Sequence, residues 1–172
     1  MKKQTQKPSV TALIGGTSLT HSRTFSSWKT ERVRTAFGVV QIKRNGNIVF
    51  LQRHGKVAVP PHMINHRANI QALTNLGAAN IIAINSVGSL KTDLKPGTFI
   101  IPDDFISLCQ TQTFFEKEMK FTVPEMNKKL ARSLYDLCKK QIARLRFGGT
   151  YIQTIGPRLE TKAEIRMLKS YG

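Results

Sequence analysis

Short apolar runs alternate along this chain with segments whose apolar residues recur at helical spacing. The runs predict strands, which are expected over residues 9–14, 39–42, 48–51, 80–84, 98–101, 105–108 and 151–155. Asn45-Gly46 lies between the second and third runs, and Asn-Gly is typical of a tight β-hairpin turn. The continuous apolar run 80–84 predicts a strand that is buried on both faces.

Three helices are predicted from the same pattern. The first covers 69–76 and is followed by Gly77, a residue type that commonly ends helices. The longest is expected over 130–145, where apolar residues recur at Leu130, Leu134, Leu137, Cys138, Ile142 and Leu145. The third is expected over 161–169. Because strands and helices alternate, the predicted fold class is α/β with a mainly parallel or mixed sheet.

Length and composition favour one compact domain. The chain has 172 residues, enough for a hydrophobic core, and 40% of them are hydrophobic. We expect a flexible basic tail over 1–8 and a single domain over 9–172. No apolar run approaches the roughly 18 residues that span a bilayer, and the polar amino terminus lacks the apolar stretch of a signal peptide. The expected location is the cytoplasm, with no membrane partner.

Cysteine and histidine do not form a metal-binding pattern. The two cysteines are too few for a disulfide framework and lack the spacing of metal ligands. The four histidines have no partnering carboxylates or thiols nearby in a metal pattern; they are His21, His54, His62 and His66. We therefore expect no metal site.

The chain is strongly basic. Its formal net charge is +17 and its pI is about 10.4, values that raise the question of nucleic-acid binding. The lysines and arginines are scattered, however, and aromatic residues are not interleaved with them as a base-stacking platform would require. A solvated basic face is the favoured interpretation. A nucleic-acid-binding module remains an alternative, and it predicts binding that weakens steeply with salt.

Three small polar turns follow predicted strands. Gly15-Gly16-Thr17 and Asn85-Ser86 are two of them, and Arg53-His54-Gly55 is the third. Ligands of open α/β sheets bind at such strand ends. Arginine presents a fixed fork of donors that suits phosphate, and exposed backbone amides at glycine also donate to anions. The three turns together predict a shared anion pocket.

A fourth polar segment follows the predicted strand 151–155. Glu160 and Thr161 lie at the start of the third predicted helix, where the helix dipole favours a carboxylate. Composition alone therefore leaves two interpretations of Glu160 open, a ligand contact and a helix-start carboxylate.

In order, these segments resemble the family of purine nucleoside and methylthioadenosine phosphorylases. The strings that carry the resemblance are IGGTSLT, RHG, PPHMINHRANIQAL, INSVGSL, PGTFIIPDDFI and GPRLETKAEI. They span roughly residues 13–165 in the order of the family. The resemblance implies a mixed β-sheet flanked by helices, and cleavage of a purine nucleoside by inorganic phosphate through an oxocarbenium-like transition state. Phosphate is then a co-substrate, and no cofactor is expected.

The resemblance also implies roles for individual residues. The positions that match the phosphate-binding residues of the family are Thr17, Arg53, His54, Asn85 and Ser86. His62 and His66 match a stretch near the ribose and the subunit boundary. The family usually has tyrosine at the position of His66, so a structural role for His66 is an equal alternative.

Leu159 and Glu160 match positions that face the base. In members that accept 6-oxopurines, a glutamate there accepts a hydrogen bond from the protonated purine N1. An adenine N1 has no proton and would leave the carboxylate unpaired, which is costly. The resemblance therefore implies a 6-oxopurine nucleoside, and the GPRLET and PPH strings are most similar to those of methylthioinosine phosphorylases. Methylthioadenosine is the alternative substrate.

The family pattern continues beyond the last residue of this chain. The residues here correspond to about two thirds of a family member, without the carboxyl-terminal third that contains the N7-binding residue and a methionine at the ribose. A non-catalytic remnant of the family is therefore another alternative. Family members are commonly trimers or hexamers, which implies a homo-oligomer for a complete chain.

Overall fold

The computed structural model describes residues 9–19 and 22–171. The expected tail over 1–8 lies outside the described residues. The chain divides into two compact units, one ending at Ser86 and one beginning at Val87, and each is described by itself. The expectation of a single domain over 9–172 stays a prediction. Among the described residues, every helix is too short or too polar to span a lipid bilayer.

The first unit is built on a five-stranded mixed sheet. Its strands are β1 (Val10–Gly15), β2 (Lys29–Thr35), β3 (Gly38–Asn45), β4 (Ile48–Gln52) and β5 (Ala78–Ile84). The spatial order is β2-β3-β4-β1-β5. β1 runs parallel to both of its neighbours, whereas β3 pairs antiparallel with β2 and with β4. The predicted α/β class with a mixed sheet is confirmed, and so is the hairpin at Asn45-Gly46.

One helix covers the core of this sheet. Helix α1 (His66–Asn75) begins where the Asn65 side chain accepts a hydrogen bond from the Ala68 N–H at 2.9 Å. It ends just before Gly77, whose φ of +71° favours glycine, as predicted. Alternating side chains of the strands meet the apolar stripe of α1 in one buried cluster of Ala12, Val40, Ile42, Val49, Leu51, Ala68, Ala72 and Leu73.

The run 80–84 does form a strand, but the expected burial on both faces is wrong. β5 is an edge strand of the sheet and pairs with β1. Ile81 is 42% exposed and Ile84 is 38% exposed. A continuous apolar run indicates a parallel strand, yet it does not tell how many neighbours that strand has.

The second unit contains two short parallel strand pairs and two helices. β6 (Phe99–Ile101) pairs with β8 (Leu145–Phe147), and β7 (Asp104–Ser107) pairs with β9 (Thr150–Gln153). The helices are α2 (Lys128–Cys138) and α3 (Lys162–Lys169). The strands predicted near 98–101, 105–108 and 151–155 and the third predicted helix are confirmed within two residues.

The longest predicted helix extends too far. α2 ends at Cys138, so Ile142 lies beyond it and Leu145 begins β8. A turn follows the helix, in which the N–H groups of Gln141 and Ile142 donate to the Cys138 carbonyl at 2.9 and 3.0 Å. Pairing with β6 then takes over, because the Phe99 N–H donates to the Arg144 carbonyl at 2.8 Å. The apolar spacing continued by coincidence across a change from helix to strand.

Candidate functional site

The ends of β1 and β4 are joined by hydrogen bonds in the first unit. The Arg53 N–H donates to the Gly15 carbonyl at 3.0 Å, and the Gln52 amide donates to the Gly16 carbonyl at 3.1 Å. Because both strands run in the same direction, the turns that follow them emerge at the same edge of the sheet. Thr17 lies there too, exposed, as the first residue of a short 3₁₀ helix (Thr17–Leu19).

Arg53 bridges this edge of the sheet. Its Nη1 donates to the Oδ1 of Asn85, the residue that follows β5. Its Nη2 lies so close to Gly16 that a Cβ on Gly16 would be only 3.0 Å away. The guanidinium therefore lies among the ends of β1, β4 and β5, which are three neighbouring parallel strands. Ser86 follows Asn85 and is exposed.

His54 is buried beside Arg53, with only 4% of its surface exposed. Its Nδ1 lies 2.8 Å from the Val59 carbonyl oxygen, and its Nε2 lies 3.2 Å from the Nε of Arg53. The Val59 N–H donates back to the His54 carbonyl at 3.1 Å, which closes the loop between them. Both ring nitrogens of His54 are thus engaged by the protein.

His62 and His66 lie in the segment that leads into α1. His62 is exposed in a short 3₁₀ helix (Pro61–Met63), and His66 is the first residue of α1. The pKa of His66 is lowered, first by the partial loss of solvent around its ring and then by the charge of Arg53 and by His54. Because a lowered pKa favours the neutral form of histidine, His66 is an uncharged neighbour of Arg53 near neutral pH.

The second unit contains Leu159 and Glu160, which lie between β9 and α3. Glu160 Oε1 accepts a hydrogen bond from the Thr154 hydroxyl at 2.5 Å. That bond, followed by the bond from the Glu160 backbone N–H, lowers the pKa of the Glu160 carboxyl, so the group is ionised at neutral pH. The Leu159 side chain is 86% exposed.

The helix-start carboxylate of α3 is Glu164 rather than Glu160. The Thr161 side chain accepts from the Glu164 N–H, and Glu164 accepts from the Thr161 N–H at 2.6 Å, which together make a capping box. Arg158 donates to both carboxylate oxygens of Glu164 at 2.8 and 2.5 Å. The hydrogen bonds from Arg158, and then those from Thr161, lower the pKa of Glu164 to about 2. Glu160 therefore has no capping role.

The model of the phosphorylase superfamily matches residues 11–172, which is most of the chain. The chain belongs to the phosphorylase superfamily. Its fold also matches that of a methylthioadenosine phosphorylase from an antarctic soil metagenomic library, with a TM-score of 0.80 at 27% identity over 96% of this chain and 63% of the other.

Two curated relatives in the phosphorylase superfamily are also similar in sequence. One, from Methanocaldococcus jannaschii, is named "Probable S-methyl-5'-thioinosine phosphorylase" and is 40% identical over 93% of this chain and 66% of its own length. Another, from Thermococcus kodakarensis, is named "Probable 6-oxopurine nucleoside phosphorylase" and is 38% identical over 94% of this chain and 67% of its own length. The chain thus spans about two thirds of the length of the curated relatives that it matches.

Sequence reasoning missed two supporting residues of this phosphorylase-superfamily chain. Asn69, on the buried side of α1, donates to the Arg53 carbonyl at 3.0 Å and so supports the strand end that bears the guanidinium. The sequence signal for Asn69 was a polar residue on the helix face that is otherwise apolar. Glu164 was the other, and the spacing Thr-x-x-Glu before a helix could have identified it.

Proposed function

We propose that this protein is a purine nucleoside phosphorylase, which is a kind of pentosyltransferase. It uses inorganic phosphate to cleave the N-glycosidic bond of a 6-oxopurine nucleoside. The favoured substrate is 5′-methylthioinosine. The observation that carries the proposal is the guanidinium of Arg53, held at the common end of three parallel strands between Gly16 and Asn85. The curated relatives support it, because their names describe purine nucleoside phosphorylases.

Phosphate is the proposed occupant of the anion site in the first unit. Arg53 supplies a permanent positive charge and planar donors that match phosphate oxygens. Thr17, Asn85 and Ser86 add polar groups at the same edge of the sheet, as the family resemblance implies. Such a site would contribute mainly by holding phosphate in position to attack the anomeric carbon, and effective molarities from good positioning are large. We propose no further cofactor.

Recognition of the base is proposed for Glu160. Its carboxylate is ionised and is oriented by the Thr154 hydroxyl, so a remaining lone pair could accept the N1–H of hypoxanthine or guanine. Adenine has no proton at N1 and would leave that lone pair unpaired. Methylthioadenosine phosphorylase is the second candidate function, favoured by the match to the soil-library enzyme of that name.

The test is phosphate-dependent base release by the purified protein from methylthioinosine, inosine and methylthioadenosine. We expect faster release of hypoxanthine than of adenine, and no release without phosphate. Replacing Glu160 by Ser removes the acceptor, so the preference for 6-oxopurines should fall by roughly 10- to 100-fold, the effect of one hydrogen bond to a charged group. Glu125→Ser makes the same change at an exposed carboxylate and should leave the preference intact.

Three outcomes would contradict parts of the proposal. An unchanged preference in Glu160→Ser would remove Glu160 from base recognition. Faster release of adenine by the unsubstituted protein would favour methylthioadenosine phosphorylase. No release from any of the three nucleosides by folded protein would favour a non-catalytic remnant of the family.

We also propose that the protein acts in the cytoplasm as a homo-oligomer, a trimer or a hexamer, with His62 and His66 near the ribose and the subunit boundary. The family resemblance supports this arrangement. Light scattering coupled to size exclusion would measure the assembly, and a monomer at micromolar concentration would contradict it.

A further inference from the structure

The hydrogen bonds of His54 define which of its ring nitrogens carries the proton. A backbone carbonyl only accepts hydrogen bonds, so the 2.8 Å contact from Nδ1 to the Val59 oxygen requires a proton on Nδ1. The Nε of arginine only donates, so the 3.2 Å contact from Arg53 requires a lone pair on Nε2. A single species satisfies both contacts, the neutral imidazole with its proton on Nδ1.

That species has no N–H left to offer to a phosphate. A donor at Nε2 would face the Nε–H of Arg53, and a proton moved from Nδ1 to Nε2 would leave two lone pairs opposed at Val59. Both changes would take place at a residue that is only 4% exposed, where an unsatisfied polar group is costly. The hydrogen-bond pattern of His54 therefore suits contact with Arg53 better than contact with an anion.

We propose that His54 is a positioning residue, which acts on phosphate through Arg53 rather than by touching it. This inference rests on the proposed function. His54 holds the Nε of Arg53, and Asn85 holds its Nη1, so the planar guanidinium is fixed at two points. These contacts leave Nη2 and the second hydrogen of Nη1 to donate to an anion at the strand ends, and the rotamer freedom of arginine is lost before phosphate binds.

Val59 and Asn69 extend this support into the backbone. Val59 exchanges two hydrogen bonds with His54, one from its N–H and one to its carbonyl. Asn69 of α1 donates to the carbonyl of Arg53. The imidazole thus transmits the position of the loop to the guanidinium, as an outer partner does for a ligand-binding group, while α1 fixes the backbone of Arg53 directly.

Two substitutions separate the two contacts of the ring. In His54→Gln, the amide oxygen can occupy the place of Nε2 and accept from Arg53, while the bond to Val59 is lost. In His54→Asn, the amide nitrogen can occupy the place of Nδ1 and donate to Val59, while the bond to Arg53 is lost. We expect His54→Asn to weaken the affinity for inorganic phosphate by about 10-fold or more. His54→Gln, which keeps the acceptor for Arg53, should retain most of the affinity of the unsubstituted protein.

A double-mutant cycle with Arg53→Lys, measured by calorimetric titration of inorganic phosphate, tests the route of the effect. If His54 acts through Arg53, then His54→Asn should cost little further affinity in the Arg53→Lys background. In the unsubstituted protein, ¹⁵N spectra of the imidazole should show a protonated Nδ1 and a bare Nε2 both without and with phosphate. Circular dichroism of each variant verifies that it is folded.

Several results would overturn the inference. These are additive losses in the cycle, a greater loss in His54→Gln than in His54→Asn, and protonation of Nε2 when phosphate is added, which would indicate a direct ligand. A protein that binds no phosphate at all would overturn the proposed function together with the phosphate role of His54. Phosphate binding with additive losses would overturn only the positioning role.

Discussion

Two adjacent glycines at the end of β1 are constrained by different neighbours. A Cβ on Gly15 would lie 2.7 Å from the ring of Phe50, whereas a Cβ on Gly16 would lie 3.0 Å from Nη2 of Arg53. Phe50 is buried and its ring stacks on Phe25 at a centroid distance of 3.8 Å, whereas Nη2 lies at the end of the Arg53 side chain, whose guanidinium is held by His54 and Asn85. The same substitution should therefore disturb packing at one position and the anion site at the next.

Gly15→Ala should lower the free energy of unfolding by about 1–3 kcal/mol, the usual cost of overpacking a filled site. The Phe50 ring cannot move away without losing its stack on Phe25. Urea denaturation measures the change. Gly88→Ala is the matched control, because a Cβ there meets nothing within 4 Å, and it should change stability by less than about 0.5 kcal/mol. Equal stability of the two variants would contradict the packing argument.

Gly16→Ala should weaken phosphate binding more than it weakens the fold. The new methyl group displaces the guanidinium from Asn85, so we expect an affinity loss on the order of 10-fold for one disturbed charged contact. Titration with inorganic phosphate and a urea denaturation curve of the same sample give the two quantities. A loss of stability with unchanged phosphate affinity would count against the assigned role of Arg53.

At the scale of elements, the sequence predicted those with a strong apolar pattern. The β3–β4 hairpin combines apolar runs with an Asn-Gly turn, and it forms as predicted. β2 was missed because Lys29–Thr35 contains one apolar residue, Val33, in a polar segment. This strand pairs with β3 in a hairpin whose two-residue turn, Ala36-Phe37, lacks the Asn-Gly signal that marks the next hairpin.

The contacts of the candidate site are also of two kinds, those that the sequence predicts and those that it does not. The meeting of Arg53 with Asn85 follows from strand alternation, because parallel neighbours end at the same edge of a sheet. The engagement of both nitrogens of His54 could not be predicted, since it depends on a carbonyl five residues away that a loop returns to the ring. Any residue can supply a backbone carbonyl, so the residue types in the sequence do not indicate a partner of this kind.

The start of α3 should respond to acid through Glu164. Its pKa is about 2 in the folded protein against an ordinary value of 4.5, chiefly because of Arg158. The folded pKa is the lower one, so Glu164 stabilises the protein fully above pH 4.5, and this contribution is lost as the pH falls toward 2. The stability difference between the unsubstituted protein and Glu164→Gln should shrink across that window.

Thermal unfolding at several pH values between about 6 and 3 measures this difference. Glu125→Gln, at an exposed carboxylate that has no ion pair recorded with any of the described residues, is the control and should show no comparable dependence. A Glu164→Gln difference that stays constant with pH would show that the Arg158–Glu164 pair has no energetic role.

For the whole molecule, the excess of positive charge is the main electrostatic effect on the stability of the fold. With 27 lysines and arginines against 10 acidic residues, positive charges repel one another across the folded chain. We expect sodium chloride to raise the unfolding midpoint by screening that repulsion. Phosphate should raise it further at the same ionic strength, because a ligand at 100 times its Kd adds about 2.7 kcal/mol of stability.

Arg53→Met separates the two effects of phosphate. The variant keeps the screening by salt but lacks the specific charge, so chloride and phosphate should stabilise it equally. Differential scanning fluorimetry at matched ionic strength compares the two salts. The contrary result is a phosphate midpoint that exceeds the chloride midpoint by the same amount in Arg53→Met and in the unsubstituted protein. It would place the phosphate effect on the general basic surface rather than at the strand ends.

The paired hydrogen bonds between His54 and Val59 also bear on how the chain can diverge or be engineered. They clamp both ends of a short surface loop whose residues Gly55, Lys56, Val57 and Ala58 are exposed. Doubling the length of a flexible loop costs only about 0.6 kcal/mol of closure entropy. Insertions, or a fluorescent label on the cysteine of a Lys56→Cys variant, should therefore be tolerated in this loop, which begins directly after His54.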